Sequence, residues 1–153
     1  MPIQDIKAGM KVWTFNNRSA TVEYVVVINT IIKKQLMCKL NNLLITPWHP
    51  VFINGVWKHP ADIAPINEYD ISTVYNLIIN KDHIIEIDGV YSCTLGHGLK
   101  GNVIEHEYFG NKELILRDIK NQPGFHNKQP IFKNLKVEKS INTLLTIKWY
   151  DDI

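Results

Sequence analysis

The chain has 153 residues, of which 45% are hydrophobic and 21% charged, and its formal net charge is +2. These values are typical of one globular domain and exclude a largely disordered chain. Basic and acidic residues are interspersed, so nucleic acid is not an expected partner. No apolar run approaches the roughly 20 residues that a membrane helix needs, and the first residues lack the apolar core of a secretory signal.

Two cysteines, Cys38 and Cys93, are too few for a disulfide framework. They are interpreted as intracellular thiols, or as one reactive thiol and one core residue, and the expected location is cytoplasmic. Isoleucine is strongly enriched, and this favours strands because β-branched side chains fit a pleated surface.

The first half of the chain is predicted to form short strands. The longest lies at residues 20–32, where apolar residues occur in runs as well as in alternation, as in a buried or strongly bent strand. Asn54-Gly55 between two strand-like runs indicates a hairpin, and residues 60–64 are compatible with one helical turn. The other predicted strands lie at residues 11–15, 43–46, 51–53 and 56–58.

In the second half, a hairpin is predicted to turn at Asp88-Gly89. Residues 121–130 are expected to form a loop. The strands predicted here lie at residues 74–79, 84–87, 90–95, 114–116 and 141–150. Nothing in the first 100 residues has a convincing helical period, so we predict an all-β fold, either a sandwich or a closed or semi-closed barrel.

Thr46 and His49 lie three residues apart in the segment TPWHP, at the end of a predicted strand. At that spacing a hydroxyl and an imidazole can face one concave site. The imidazole could then protonate or polarise an amide while the hydroxyl holds a carbonyl or a water. On spacing alone, a strand end bounded by prolines, with a histidine that has no catalytic role, is the favoured interpretation.

Cys93 and His97 lie in the segment SCTLGHG. A thiol near a histidine is the minimal pair for nucleophilic catalysis, and glycines on both sides of His97 allow close approach of the backbone. The alternative is a small core cysteine on a strand followed by a histidine in a turn, since free cysteines are usually buried and inert.

Six histidines and two cysteines make a zinc site conceivable. No spacing resembles a C-x2-C or H-x3-H pattern, so no cofactor is expected. Zinc remains an alternative, and His97 and His106, beside Glu105 and Glu107, are the candidate ligands.

Three segments carry a family resemblance. Residues 3–12 read IQDIKAGMKV, residues 46–51 read TPWHPV, and residues 74–90 contain VYNL, a histidine and DGV. In order and spacing they resemble the Hint superfamily, which Hedgehog autoprocessing domains and inteins share. Met10 stands where that family usually has aspartate.

Two later segments narrow the resemblance. TLGHG at residues 94–98 and HEYFG at residues 106–110 are similar to the Vint variety, found in von Willebrand A-containing, ubiquitin-ligase-like proteins. The resemblance therefore implies a Hint-like domain over residues 1–120, with residues 121–153 as a C-terminal extension packed on the same domain. It also implies neighbouring domains of those kinds as possible partners.

The resemblance implies a compact, curved, horseshoe-like all-β fold and self-directed chemistry. A first-residue cysteine attacks the preceding peptide bond to give a thioester, and a late residue resolves it. By position, Thr46 would anchor the scissile carbonyl and His49 would protonate the leaving nitrogen. His83 would assist the second step, and Cys93 lies where Hedgehog-like members keep a cysteine.

The sequence departs from the family in two ways. No cysteine or serine precedes Ile3, and no His-Asn pair lies near Cys93. Three functions therefore stay open: an autoprocessing domain, inactive or partly active in this form, whose partner is its own flanking polypeptide; a non-catalytic interaction module; and an unrelated β-domain that binds a metal through Cys93, His97 and His106. His97 and His106 are also predicted as binding residues.

Overall fold

A computed structural model describes residues 3–30 and 33–134. These residues form eleven strands and one α-helix, α1 (Lys112–Ile119), with short 3-10 turns at Ile3–Asp5, Phe15–Asn17, Pro60–Asp62 and Phe125–Asn127. The strands are β1 (Lys11–Thr14), β2 (Arg18–Thr30), β3 (Gln35–Leu40), β4 (Leu43–Ile45), β5 (Val51–Ile53), β6 (Val56–Lys58), β7 (Asn67–Tyr69), β8 (Thr73–Ile79), β9 (Ile84–Ile87), β10 (Val90–Cys93) and β11 (Ile131–Asn134). The all-β prediction is confirmed.

The strands form two sheets. The larger has eight strands in the order β11-β2-β1-β9-β10-β5-β6, with β8 also paired to β2, and the smaller has the order β4-β3-β7. Neighbouring described strands pair antiparallel except β11, which lies parallel to β2. The first half of the long β2 strand therefore pairs with β1, and its second half pairs with β8 and β11.

A β-bulge in β2 changes which side of the sheet its residues face. The register with β8 shifts between Val22 and Tyr24, so Glu23 is the additional residue. Side chains alternate along a strand, yet Val22 and Val25 belong to the same apolar cluster, because the bulge reverses the alternation between them. Residues beyond the bulge are buried on both faces, which confirms the buried strand predicted here.

The second face of β2 carries the cluster that holds α1 and β11 to the sheet. Phe132 on β11 has no exposed surface and belongs to this cluster, whose members are Val26, Ile28, Ile78, Leu95, Tyr108, Ile115, Ile119 and Phe132. Residues 121–134 therefore pack on the core formed by the preceding chain. The boundary placed at residue 120 stays a prediction.

Both predicted hairpins are confirmed. Asn54 and Gly55 have φ of 51° and 79°, and Asp88 and Gly89 have φ of 51° and 77°. Positive φ at both central positions is what a two-residue hairpin turn of type I′ requires, and asparagine, aspartate and glycine adopt it most easily.

The strand predicted at residues 114–116 is wrong, because this segment lies inside α1 (Lys112–Ile119). The Asn111 side chain accepts a backbone N–H from the first turn, 3.2 Å away, and so caps the helix. Ile115 and Ile119, four residues apart, are fully buried on one face of the helix. Three strands, β3, β7 and β11, were not predicted, and the strand predicted at residues 141–150 lies outside the described residues.

Among the described residues, no helix has the length and apolar composition that crossing a membrane requires.

Replacing Asn111 with alanine is expected to reduce the free energy of unfolding by about 1 kcal/mol, because the first turn of α1 loses its cap. Urea denaturation followed by circular dichroism measures this. Asn111→Asp keeps a capping oxygen and is the matched control. A control as unstable as Asn111→Ala would mean that the cap is not the stabilising contact.

Candidate functional site

Thr46 and His49 lie at the two ends of one anchored turn. The His49 N–H donates to the Thr46 carbonyl at 3.2 Å, and the carbonyl of the buried Pro47 accepts the Ala61 N–H at 2.9 Å. These bonds fix the turn after β4 against the 3-10 turn that follows β6. The Thr46 hydroxyl makes no hydrogen bond within the part of the chain that the structure describes.

His49 reaches from this turn to the end of β10. Its Nε2 lies 2.9 Å from the carbonyl oxygen of Cys93. A carbonyl can only accept, so Nε2 carries the proton and donates it. In the neutral ring Nδ1 then has the free lone pair, and no described residue bonds to it.

Burial lowers the pKa of His49, and the hydrogen bond to the Cys93 carbonyl opposes this shift in part. At neutral pH the ring is therefore uncharged. A neutral imidazole can take a proton at Nδ1 and deliver it to another atom, which is the behaviour of a general base and acid.

Cys93 contacts His49 but is not activated by it. The thiol sulfur lies 3.8 Å from Nε2 of His49 and 3.9 Å from the carbonyl oxygen of Pro50. Because Nε2 already donates to a carbonyl, it has no lone pair to accept the thiol proton. Burial raises the pKa of Cys93 to about 12, so in this arrangement the thiol stays protonated.

His83 lies in the turn between β8 and β9 and has the left-handed φ of 55°, next to Asp82 with φ of 66°. Non-glycine residues in this conformation cost about 1 to 3 kcal/mol each and persist where the surrounding structure enforces them. Here Thr94 bonds to the His83 carbonyl twice, through its N–H at 2.9 Å and through its hydroxyl at 3.3 Å.

The ring of His83 has a buried nitrogen without a partner. Its Nδ1 is the one buried side-chain nitrogen or oxygen with no hydrogen bond in the described part of the chain. Burial lowers the pKa of His83, and the nearby Lys112 ammonium lowers it further, while Asp82 and Glu23 raise it. The ring is therefore neutral at pH 7.

The groups that act on His83 come from distant segments. Lys112 at the start of α1 forms an ion pair with Glu23, with Nζ and Oε1 2.7 Å apart. Glu23 is the additional residue of the β2 bulge, and bulges often redirect a side chain toward a site. Gly96 lies directly against Lys112, where a Cβ would come within 2.8 Å of the lysine Cβ.

His97 is buried, and Nδ1 of its ring accepts the Leu99 N–H at 2.9 Å, so its neutral ring carries the proton on Nε2. Burial, together with the proximity of His83, His49 and His106, lowers the pKa of His97 to about 4. His97 is thus close to the other three imidazoles and stays neutral throughout the physiological pH range.

His106 belongs to the loop that packs on His97. Its Nδ1 accepts the N–H groups of Tyr108 and Phe109 at 3.1 and 3.0 Å. Gly110 allows the close packing, since a Cβ there would lie 3.3 Å from Cε1 of His97. Burial lowers the pKa of His106 as well, with the nearby Glu107 opposing the shift.

The structure therefore brings the candidate residues from sequence analysis into one region. His49 bonds to Cys93, the next residue Thr94 holds His83, and His97 lies near His49, His83 and His106. Thr46 joins them through its turn with His49. In the described chain, no three His, Cys, Asp or Glu residues are arranged to hold a metal ion, so the zinc alternative through Cys93, His97 and His106 has no matching geometry.

The candidate residues predicted from the sequence did not include Thr94, Asp82, Lys112 or Glu23. Apolar residues alternate at positions 20, 22 and 24 and then run without a break through position 28, so the sequence alone does not fix where the bulge lies. Asp82 lies in a segment rich in turn residues, which is a signal for positive φ. Thr94 begins the segment TLGHG, but no local signal indicates its contact with His83 or the role of Lys112, because both depend on residues elsewhere in the chain.

One family model matches nearly the whole chain: Vint, described as a Hint-domain, covers residues 1–147. The match confirms the resemblance inferred from the segments between residues 3 and 110. No curated protein matches the chain.

Proposed function

Because the chain belongs to the Vint family of Hint domains, we propose that it is an autoprocessing domain that activates the peptide bond joining it to its own flanking polypeptide. The observation that carries the proposal is the hydrogen bond from Nε2 of His49 to the Cys93 carbonyl. It holds a neutral imidazole in one orientation, with Nδ1 free to exchange a proton with an approaching chain.

The proposed first step is an acyl shift at the N-terminal junction. A thiol or hydroxyl of the junction gives its proton to Nδ1 of His49 and attacks the scissile carbonyl carbon. The carbon–nitrogen bond then breaks, and Nδ1 returns the proton to the leaving nitrogen. The unbonded hydroxyl of Thr46 would donate to the carbonyl oxygen as negative charge develops on it.

The nucleophile is proposed to come from the junction itself. The two cysteines of the chain are free and buried, and Cys93 is held as a protonated thiol. The domain as it stands would therefore be inactive or partly active, and His83 and Cys93 would serve the second step, in which the ester or thioester is resolved.

A non-catalytic interaction module is the alternative function. It is favoured by large apolar side chains on the surface, of which Trp13 is 62% and Val56 54% exposed. The proposed neighbours are von Willebrand A or ubiquitin-ligase-like domains. The proposed compartment is the cytoplasm, supported by two cysteines that stay unpaired.

The test is to place the full chain between two small reporter domains, together with its natural upstream codons. We expect intact mass spectrometry to show cleavage at the N-terminal junction that dithiothreitol accelerates, because a thiol captures the thioester. His49→Ala is expected to reduce the cleavage rate at least about 100-fold, since it removes the proton-transfer group.

His126→Ala removes an exposed imidazole from the 3-10 turn before β11 and is the matched control. It should cleave as fast as the unaltered chain. A chain that stays uncleaved under all conditions would contradict autoprocessing and favour the interaction module. Equal cleavage by His49→Ala and the unaltered chain would contradict the role of His49.

A further inference from the structure

His83 combines two unfavourable features that the fold maintains without an evident structural gain. Its backbone is left-handed, and its buried Nδ1 has no hydrogen bond in the described part of the chain. Buried polar atoms are nearly always bonded, and an exception in a native protein needs an explanation. Strained backbone together with an unpaired buried atom is characteristic of sites where a ligand supplies the missing contact.

The turn that holds His83 is secured on the side that precedes it. The carboxylate of Asp82 accepts the hydroxyl of the buried Thr14 at 3.2 Å and pairs with Nε of Arg18 at 3.3 Å. Asn80, two residues earlier, accepts the Thr21 N–H through its side chain at 2.9 Å. These contacts attach the turn to β1 and β2.

The turn is also secured on the side that follows His83. Thr94 directs both its N–H and its hydroxyl at the His83 carbonyl, at 2.9 and 3.3 Å. Thr94 is 1% exposed, and it directly follows Cys93, whose carbonyl holds the His49 ring. One short segment at the end of β10 thus fixes the positions of both histidines.

We propose that Thr94 and Asp82 are positioning residues that hold His83 in its left-handed conformation, with Nδ1 kept unpaired for a hydrogen bond with the reacting flanking chain. The inference rests on the proposed autoprocessing function and assigns two residues to its second step. Neither residue touches the reacting atoms. Their effect passes through the backbone of His83.

The step that His83 would assist is the resolution of the thioester. A water, hydroxyl or amine attacks the acyl carbon and gives its proton to the neutral Nδ1 of His83. The bond from the acyl carbon to oxygen or nitrogen forms, the bond to sulfur breaks, and the leaving thiolate takes up the proton. A misplaced ring would slow this step and leave thioester formation at His49 unchanged.

Charged and titratable groups face His83 from four sides. Lys112 approaches from α1, Glu23 from β2, Asp82 from the same turn and His97 from the segment after β10. Lys112 and Glu23 are paired with each other at 2.7 Å, and they shift the pKa of His83 in opposite directions. A change in the titration of His83 after replacement of Thr94 would therefore report on the position of the ring.

The test replaces Thr94 with valine, which has nearly the same shape and lacks the hydroxyl. Thr94→Ser retains the hydroxyl and is the rescue variant. Thr30→Val is the matched control, because Thr30 is also buried and its hydroxyl donates to the Ser72 carbonyl at 3.0 Å, at the C-terminal end of β2. Asp82→Ala is a second variant that loosens the turn from its other side.

The first measurement is the titration of the His83 ring nitrogens by nuclear magnetic resonance on the full chain. In the unaltered chain and in Thr30→Val we expect a pKa below 6.5. In Thr94→Val we expect it to move toward 6.5, because the loosened ring gains solvent. Asp82→Ala also removes a carboxylate that raises the pKa of His83, so that variant is tested by thioester resolution instead. Thr94→Ser should restore the original titration.

The second measurement is thioester resolution in the reporter fusion. Thr94→Val and Asp82→Ala are expected to slow resolution at least 10-fold while thiol-induced cleavage, which reports thioester formation, keeps its rate. Unchanged titration of His83 in Thr94→Val, or unchanged resolution in Asp82→Ala, would overturn the positioning role of that residue. Equal slowing by Thr30→Val would overturn it too. Absence of all cleavage in the unaltered fusion would contradict the proposed function, and the titration would still decide whether Thr94 positions His83.

Discussion

Lowering the pH from 7 to 4 is expected to reduce the free energy of unfolding by about 3 kcal/mol or more. The main cause is His97, whose burial lowers its pKa from 6.5 to about 4 in the folded chain. Below pH 6.5 the unfolded chain binds a proton that the folded chain does not. Stability is therefore complete above about pH 6.5 and is lost progressively as the pH falls toward 4.

Burial also lowers the pKa of His49, His83 and His106. Below pH 6.5 each of these histidines is protonated more readily in the unfolded chain than in the folded chain. Each therefore adds to the loss of folding stability as the pH falls. The four rings lie close together, and charging one opposes charging the next. Urea denaturation at intervals between pH 7.5 and 4 measures the total effect.

His97→Asn tests the assignment, because asparagine keeps a hydrogen-bond acceptor near the Leu99 N–H and does not titrate. The variant is expected to have a flatter dependence of stability on pH between 6.5 and 4. His126→Asn, at an exposed position, should retain the full dependence. Stability that stays constant from pH 7 to 4.5 in the unaltered chain would contradict the buried neutral cluster.

Replacing Gly96 with alanine is expected to reduce the free energy of unfolding by about 2 to 4 kcal/mol. Gly96 has φ of +72°, and a Cβ there would lie 2.8 Å from the Cβ and 2.9 Å from the Cα of Lys112. The first turn of α1 would have to move away from the end of β10. That movement would also separate Lys112 from Glu23 and displace both from His83.

Gly98→Ala is the matched control for the clash. Gly98 has a similar φ of +66°, and nothing lies within 4 Å of the position of its Cβ. In Gly98→Ala the free energy of unfolding is expected to fall by only about 1 kcal/mol, because alanine is strained at positive φ but meets no neighbouring atom. Equal loss of stability in the two variants would show that Lys112 does not pack against Gly96, and denaturant titration distinguishes the outcomes.

The sequence predicted the strands and turns where local chemistry is decisive. Asn54-Gly55 and Asp88-Gly89 indicated their hairpins correctly because few other residue pairs accept positive φ at both positions. Residues 84–87 were predicted as a strand with the observed bounds. The long β-branched run that became β2 was also predicted, although its bulge was not.

The helix α1 was missed because a segment of eight residues is too short for its periodicity to stand out. Its stability comes from the Asn111 cap and from Ile115 and Ile119, which are buried against the second face of β2. The unpredicted strands β7 and β11 also depend on pairing with strands distant in the sequence. β7, for example, is a three-residue segment whose strand conformation depends on pairing with β3.

The sequence by itself determined the fold class, the Hint resemblance and the identity of the candidate histidines and Cys93, because motifs and composition are local properties. Only the tertiary structure decided their chemical states. Whether a thiol is ionised or an imidazole neutral depends on burial and on partners from distant segments. The structure therefore placed Cys93 as a protonated thiol beside His49, and left His83 held by Thr94 with one nitrogen unpaired.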